Sequence, residues 1–266
     1  MPAPRALYTA ENCLDPAYQL NWSVSVFWKS AAPSPDTWLT DLQTVAEDDG
    51  TRILEQRLMN DVTSQFLVST KPEISPPQIV RCLKGRLQYL VRQHCPKAFC
   101  RNYALTSVGS AKADAVEEYV RSQFDHHRLT DVRLRTRMDQ LRFENPDADL
   151  IRPRSSGHAQ FVYNLHLILV HEGRLAEVDT PTLRKTREMI CGASRKKQHL
   201  LSVASMLPDH VHLALGCNLT ESPREVALSY LNNLAYAQGQ KPVYRSGYFV
   251  GTFGPYDLGA VRQAFR

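Results

Sequence analysis

The chain of 266 residues lacks several features that define other classes of protein. No apolar run approaches the roughly 20 residues of a membrane-spanning helix, and residues 1–5 have no apolar signal core. Its six cysteines, at positions 13, 82, 95, 100, 191 and 217, form no Cys-x-x-Cys pair. This pattern predicts free thiols in a reducing compartment. We therefore expect a cytoplasmic protein with no membrane partner.

The composition is that of an ordinary globular protein, with 43% hydrophobic and 22% charged residues. A chain of this length can form two domains, each with its own core. The formal net charge of +5 is compatible with a nucleic acid partner, although many basic proteins bind none. His94, Cys95 and Cys100 lie close in sequence, but a structural zinc site needs four well-placed ligands.

An internal repeat organises the chain. Ser75-Pro76 is matched by Ser222-Pro223, an offset of 147, and the segment ending at Gly109 is matched by one ending at Gly254, an offset of 145. One deletion of two residues accounts for the difference. Two unrelated α/β segments could share such dipeptides, but the common order of the shared elements favours a duplication.

Each copy predicts the element order βαββαβα. In the second copy, for example, residues 161–170 alternate as a strand does and residues 180–196 form a helix. This order indicates an α+β fold of two ferredoxin-like or RRM-like domains, each an antiparallel sheet with helices on one face, related as a pseudo-two-fold fused dimer. We place the domains at 14–127 and 157–266. The arginine-rich segment 128–156 between them is a linker, either partly helical and able to contact a DNA backbone or a solvated tether.

The two copies keep complementary residues. The second copy carries His210 and His212, where the first has Thr63 and Gln65. The first copy carries Tyr119 on a predicted helix, where the second has Ala264. If the copies pack together, one complete site can form across their interface, and the reciprocal site should be inactive.

The retained residues suggest a chemistry. Side chains alternate along a strand, so His210 and His212 point the same way and can hold one divalent ion. Gln123 lies four residues after Tyr119 on the same helical face, and its amide oxygen can be a third ligand. The phenol of Tyr119 can attack a phosphodiester to give a 5′-phosphotyrosine. The metal would polarise the phosphate, since tyrosine, with a pKa of about 10, is a poor nucleophile at neutral pH.

These motifs resemble those of a known family. Pro208-Asp209-His210-Val211-His212-Leu213, followed by Ser222-Pro223, is similar to the HUH region of the single-tyrosine transposases of the smallest bacterial insertion sequences and of REP-associated tyrosine transposases. The first copy resembles the rest of the pattern, from Ser75-Pro76 through Leu83-Lys84-Gly85 and Ser107-Val108-Gly109 to the helix of Tyr119 and Gln123.

The resemblance implies Tyr119 as nucleophile and His210, His212 and Gln123 as ligands of Mg²⁺ or Mn²⁺. It also implies a partner that is single-stranded or hairpin DNA, and a paired site like that of the family's dimers. The fused chain would then work as a monomer, with higher oligomers still open. We expect basic side chains to contact DNA phosphates, and the candidates are Lys84, Arg86, Lys185, Arg187, Lys196 and Lys197.

Two functions follow from this sequence. The first is a metal-dependent DNA strand transferase and endonuclease that cleaves single strands through Tyr119. The second is a domesticated, non-catalytic protein that binds hairpin DNA. Cleavage that is lost when Tyr119 becomes phenylalanine separates the two.

Overall fold

A computed structural model describes residues 6–123, 132–174 and 177–265. The expected boundary between the first domain and the linker, at 127 and 128, lies outside these residues. The strands are β1 Ala17–Gln19, β2 Asn21–Trp28, β3 Thr51–Asn60, β4 Thr63–Thr70, β5 Phe99–Val108, β6 Phe143–Glu144, β7 Arg154–Ser156, β8 Ala159–Val162, β9 Asn164–Val170, β10 Leu200–Met206, β11 His210–Gly216 and β12 Phe249–Phe253. The α-helices are α1 Leu39–Asp48, α2 Pro76–Val91, α3 Ala113–Arg121, α4 Val132–Leu141, α5 Thr180–Lys197, α6 Pro223–Ala237 and α7 Leu258–Phe265, with 3₁₀ turns at Pro35–Thr37 and Glu172–Arg174.

The strands form two six-stranded sheets of matching order. One is β3-β4-β2-β5-β8-β7 and the other is β10-β11-β9-β12-β1 with β6 beside β10. In each sheet the four strands β3-β4-β2-β5 or β10-β11-β9-β12 are antiparallel. The predicted α+β fold with two equivalent halves is confirmed.

The helices α2 and α6 begin in the same way, which shows the repeat at the level of local structure. Each follows a serine and has proline at its first position, where the missing N–H is not needed. The backbone N–H of Ser75 donates to Gln78 Oε1 at 2.7 Å, and that of Ser222 donates to Glu225 Oε2 at 2.7 Å. These reciprocal capping boxes fix the start of both helices.

The main core lies between each sheet and its own pair of helices. On β11 the residues Val211, Leu213 and Leu215 belong to this core together with Val226 and Leu231 of α6. The opposite face of β11 carries His210, His212 and Ala214. Strand alternation therefore separates the packing face from a second face that another element can cover.

Short elements are exchanged between the halves. Strand β1, which leads into β2, pairs with β12 in parallel, and β8, which leads into β9, pairs with β5 in parallel. Helix α3 packs on β10 and β11 of the second sheet, while α7 packs on β3 of the first. The helices that follow β5 and β12 thus cover the second face of the other half's sheet.

Reciprocal hydrogen bonds join the halves where the exchanged segments cross. Asn21 N donates to Thr252 Oγ1 at 2.8 Å, and Asn164 N donates to Ser107 Oγ at 3.0 Å. Ser107 Oγ donates in turn to the Phe253 carbonyl at 2.6 Å, and Thr252 Oγ1 to the Val108 carbonyl at 2.7 Å. The two sets follow the repeat, so the contact is pseudo-two-fold.

Two glycines allow the close approach at the same crossing. A methyl group on Gly109 would collide with the Thr252 carbonyl oxygen, and one on Gly254 with that of Ser107. The Gly254 carbonyl accepts from Ala113 N at 2.9 Å, and the Gly109 carbonyl from Leu258 N at 2.8 Å. Each glycine therefore anchors the first turn of the other half's exchanged helix.

The described part of the linker is built into the fold. Strand β6 pairs with β10, and β7 pairs with β8. Met138 of α4 is fully buried and Leu150 nearly so. The solvated-tether alternative is therefore wrong for residues 132–156. Of the helices described, none is long and apolar enough to cross a membrane.

Candidate active site

Strand β11 presents the histidine pair predicted from sequence. His210 and His212 lie on its second face, with ring centroids 4.8 Å apart, and both residues are buried. The Nδ1 atom of His210 lies 2.6 Å from Asp209 Oδ1. A carboxylate at this distance fixes the orientation of the imidazole.

Helix α3 brings Tyr119 from the first half to this pair. Its ring lies edge-on to that of His212, with centroids 5.8 Å apart, and 45% of the residue is exposed. The apolar side of the helix, with Ala113 and Val120, packs on Val203 and Ala214. The structure therefore brings together the two halves of the predicted composite site, with the tyrosine open to an incoming strand.

The end of α3 is held by polar contacts from the second half and the linker. Ser205 Oγ donates to the Val120 carbonyl at 2.6 Å, and Ser202 Oγ donates to Glu117. Arg142 Nη1 donates to the Arg121 carbonyl at 3.1 Å. The bonds to Val120 and Arg121 satisfy carbonyls at the end of the helix that have no intrahelical partner, and the bond to Glu117 holds a side chain of the same helix.

Gln123 lies just beyond α3 and is almost fully buried. Its Nε2 donates to the Tyr119 carbonyl at 2.8 Å. The amide is thus tied to the residue that carries the phenol, and its oxygen is the atom that could bind a cation.

A third histidine, His166 on β9, joins the site and was missed by the sequence reasoning. Its Nε2 lies 3.0 Å from His212 Nδ1, and the two rings are stacked with centroids 5.3 Å apart. Its ring also lies edge-on to Tyr119, at 5.9 Å. The signal was the alternation of 164–170, which places His166 on the same sheet face as the pair once β9 and β11 are neighbours. Burial lowers the pKa of the His166 imidazole to about 4, so it is neutral at physiological pH.

The donor set suits a divalent ion. The described residues contain no group of three or more His, Cys, Asp or Glu placed to hold a metal, but the predicted set consists of two histidines and an amide. The Nδ1 atom of His210 lies within hydrogen-bond distance of Asp209, and that of His212 within hydrogen-bond distance of His166. This is the arrangement that orients metal-binding imidazoles, so a cation would be bound through Nε2 of each ring.

The six basic residues predicted to contact DNA differ in their surroundings. Lys84 donates to the carbonyls of Cys100, Arg101 and Asn102, and burial lowers its pKa. Arg86 forms a two-pronged ion pair with Asp49 at 2.8 and 2.9 Å, and Lys197 pairs with Glu221 at 2.5 Å. Arg187 lies over the Phe143 ring. Lys185 and Lys196 are exposed on α5, so they could reach a DNA backbone most directly.

The reciprocal location, between β4 and α7, keeps the arrangement of strand and helix but lacks the histidines and the tyrosine of the composite site. Gln65 on β4 and Ala264 on α7 line one cavity, in the places that His212 and Tyr119 occupy in the composite site. Gln65 Nε2 donates to Ser23 Oγ at 2.8 Å, and this bond corresponds to the contact between His212 and His166 in the composite site. This second location holds neither an imidazole pair nor a phenol at the tyrosine position.

Comparison with protein-family models finds a match within the first half of the chain. Residues 36–123 match the family model described as "Transposase IS200 like". That segment contains α3, Tyr119 and Gln123. No curated protein matches the chain.

Solved structures with some similarity include two transposases. One, from Deinococcus radiodurans R1, is 16% identical over 40% of this chain and 92% of its own, with a TM-score of 0.31. The other is a REP-associated tyrosine transposase bound to a REP hairpin, 12% identical over 39% of this chain and 62% of its own, with a TM-score of 0.31. A glycine cleavage system transcriptional repressor covers 88% of this chain and 97% of its own at 9% identity, with a TM-score of only 0.23.

These scores are too low to add to the family match, which stands on its own residues. The family match covers residues 36–123, about one third of the chain. Residues 36–123 are therefore similar to the family of IS200-like transposases, and this similarity includes the helix that carries Tyr119.

Proposed function

We propose that the protein is a metal-dependent nicking and joining transposase that acts on single-stranded DNA at one composite active site. Tyr119 and Gln123 come from the first half, and His210 and His212 from the second. The observation that carries the proposal is the contact of the Tyr119 ring with His212 across the halves, at 5.8 Å. Without the exchange of α3, neither half has a tyrosine beside an imidazole pair.

The proposed reaction is a transesterification. The Tyr119 oxygen attacks phosphorus, the bond from phosphorus to the 3′-oxygen breaks, and a 5′-phosphotyrosine forms. The phenol proton is lost to solvent, and the departing 3′-oxygen takes up a proton. One phosphodiester bond is broken and another is formed, so the phosphotyrosine retains the bond energy. The bond can therefore be resealed when a 3′-hydroxyl attacks the phosphotyrosine.

A divalent ion bound by His210, His212 and Gln123 would polarise the scissile phosphate and stabilise the charge that develops on it. The protein orients the metal-binding rings and the phenol. Asp209 holds the His210 ring and His166 holds that of His212, while the polar contacts at the end of α3 hold the phenol. Hairpin DNA from the flanks of the gene is the substrate that the family resemblance favours.

The decisive experiment uses labelled single-stranded hairpin DNA with Mg²⁺ or Mn²⁺, analysed on denaturing gels. We expect a covalent protein–DNA adduct that requires metal and is absent in Tyr119→Phe and His210→Ala. Tyr119→Phe should bind DNA nearly as the wild type does, because the change removes only one hydroxyl. Tyr89→Phe, at another exposed tyrosine, is the matched control and should form the adduct normally.

Full activity of His210→Ala would overturn the composite site. Tight hairpin binding without an adduct in any form would instead favour the non-catalytic binder.

A further inference from the structure

We infer that the reciprocal site, which has lost its catalytic residues, is a binding pocket for one unpaired nucleotide of single-stranded DNA. A cavity of about 420 Å³ opens between α7 and the second face of the first sheet. This volume falls in the range of about 300–1,000 Å³ that ligand pockets have.

Three substitutions create the cavity. In the composite site, His166, His212 and Tyr119 fill the corresponding space with rings. The repeat places Ser23, Gln65 and Ala264 at these positions in the reciprocal site, and all three line the cavity. The loss of two imidazoles and of a phenol leaves room that the replacing side chains do not fill.

The wall of the cavity is polar and cationic where the sheet forms it. Arg57 is the one charged side chain among the described residues that line it, and no carboxylate is found among them. Arg57 Nε donates to Gln65 Oε1 at 3.0 Å, which fixes the guanidinium. The hydroxyls of Ser25 and Thr106 line the same wall. A fixed guanidinium beside hydroxyl groups is suited to a phosphate or to the polar edge of a base.

The wall on the side of α7 is aromatic. Tyr256 and Phe265 border the cavity from the side of α7, and the guanidinium carbon of Arg57 lies 4.9 Å from the centre of the Phe265 ring. Tyr256 is 58% exposed, so its ring is accessible to a ligand. Aromatic faces stack on unpaired bases of any sequence, and arginine adds a cation–π contribution. The combination fits a nucleotide of a flexible strand.

The inference rests on the proposed function in one respect, that single-stranded DNA is the partner. A DNA strand bound at the composite site could then also bind in the reciprocal pocket, where it would not be cleaved. The second site would add affinity and fix the path of the strand, while only Tyr119 reacts.

The test is photo-cross-linking of the full-length protein to an oligothymidylate that carries 5-iodouracil, with the attached peptides identified by mass spectrometry. We expect cross-links at Tyr256 or Phe265. They should be lost in Arg57→Gln, which removes the charge, and in Ala264→Trp, which fills the cavity. Arg52→Gln changes an exposed arginine of the same strand, paired loosely with Glu47, and should keep them.

Binding of a fluorescent oligothymidylate gives a second readout. We expect Arg57→Gln and Ala264→Trp to weaken binding about fivefold or more, and Arg52→Gln to leave it within twofold. Thymidine 5′-monophosphate should compete only at far higher concentration than the oligonucleotide. If it competes equally well, the ligand is a free nucleotide and not a DNA strand.

Failure of this inference is distinguishable from failure of the proposed function. If the Tyr119 adduct forms but both pocket variants bind and cross-link as the wild type does, the pocket is not a DNA site. If no adduct forms but Arg57→Gln and Ala264→Trp lose the cross-link, the pocket stands and the catalytic proposal falls.

Discussion

His166 shows how a residue without any motif can complete a site. It lies at 3.0 Å from His212 Nδ1, and its lowered pKa keeps it neutral, so it can exchange a hydrogen bond with the neighbouring ring without adding charge. The reciprocal half keeps the same pairing with Ser23 and Gln65. The position therefore serves to orient the residue on the central strand in both halves.

We predict that His166→Ala weakens metal binding about 10- to 100-fold, because an unsupported His212 ring is free to turn. Mn²⁺ binding, measured by titration calorimetry without DNA, checks this, and His166→Asn should restore part of the affinity. His158→Ala, at an exposed histidine, is the control. An unchanged affinity in His166→Ala would show that His212 is held by other means.

Among single residues, the sequence predicted the tyrosine and the histidine pair that the structure brings together, but not every residue that contacts them. Tyr119, His210 and His212 could be identified because complementary loss in the two copies singles them out. His166 could not be, because its contact with His212 depends on the register between β9 and β11. The surroundings of Lys84 and Arg86 depend likewise on distant partners, since Lys84 is held by β5 and Arg86 by Asp49.

At the scale of elements, α3 depends on what it packs against. It has nine residues and no side-chain cap at Lys112, and isolated helices of this length are marginal in water. Its position comes from the apolar contacts with the second sheet and from the polar contacts at its end. The position of Tyr119 therefore depends on those contacts.

We predict that Ser205→Ala lowers the rate of adduct formation about tenfold, while the free energy of unfolding falls by only about 1–2 kcal/mol, because the Val120 carbonyl loses its buried partner. Single-turnover assays and chemical denaturation measure the two effects. Thr44→Ala removes an exposed hydroxyl that bonds a helical carbonyl at 3.1 Å and should change neither. Equal rates in Ser205→Ala and the wild type would mean that the apolar packing holds α3 by itself.

Most elements could be predicted because periodicity and capping are local signals. The predicted strand at 161–170 is the informative exception. The structure divides it at Tyr163 into β8, which belongs to the first sheet, and β9, which belongs to the second. Alternation indicates that a segment is extended, but its neighbours are decided by pairing with strands far away in sequence, and no local pattern predicts that choice.

At the scale of the whole molecule, duplication and exchange leave one chain with two unequal sites. The halves are related by reciprocal contacts at Ser107 and Thr252, as subunits of a dimer would be. Only one of the two locations combines a tyrosine with an imidazole pair. Under the proposed reaction, a chain of this design would hold one cleaved 5′ end at a time.

We predict at most one covalently attached DNA strand per polypeptide, however large the excess of substrate. Intact-protein mass spectrometry of the reaction measures this number directly, and Tyr119→Phe should show none. A second attached strand would require another nucleophile and would contradict the assignment of the reciprocal site as inactive. Two simultaneous cleavages would then need two molecules of the protein.

The exchange of β1 and β8 also governs when the molecule can acquire its structure during synthesis. The first sheet receives β8 only after residue 162 has been made, and β1 waits for β12 at residues 249–253. Such long-range pairing slows folding, because the entropy of closing a long loop must be lost before the paired strands gain stabilising contacts. Helix α3 meets its sheet only when β10 and β11 have left the ribosome. A nascent chain therefore carries Tyr119 long before its helix can pack on the second sheet, so translation itself delays the assembly of the composite site.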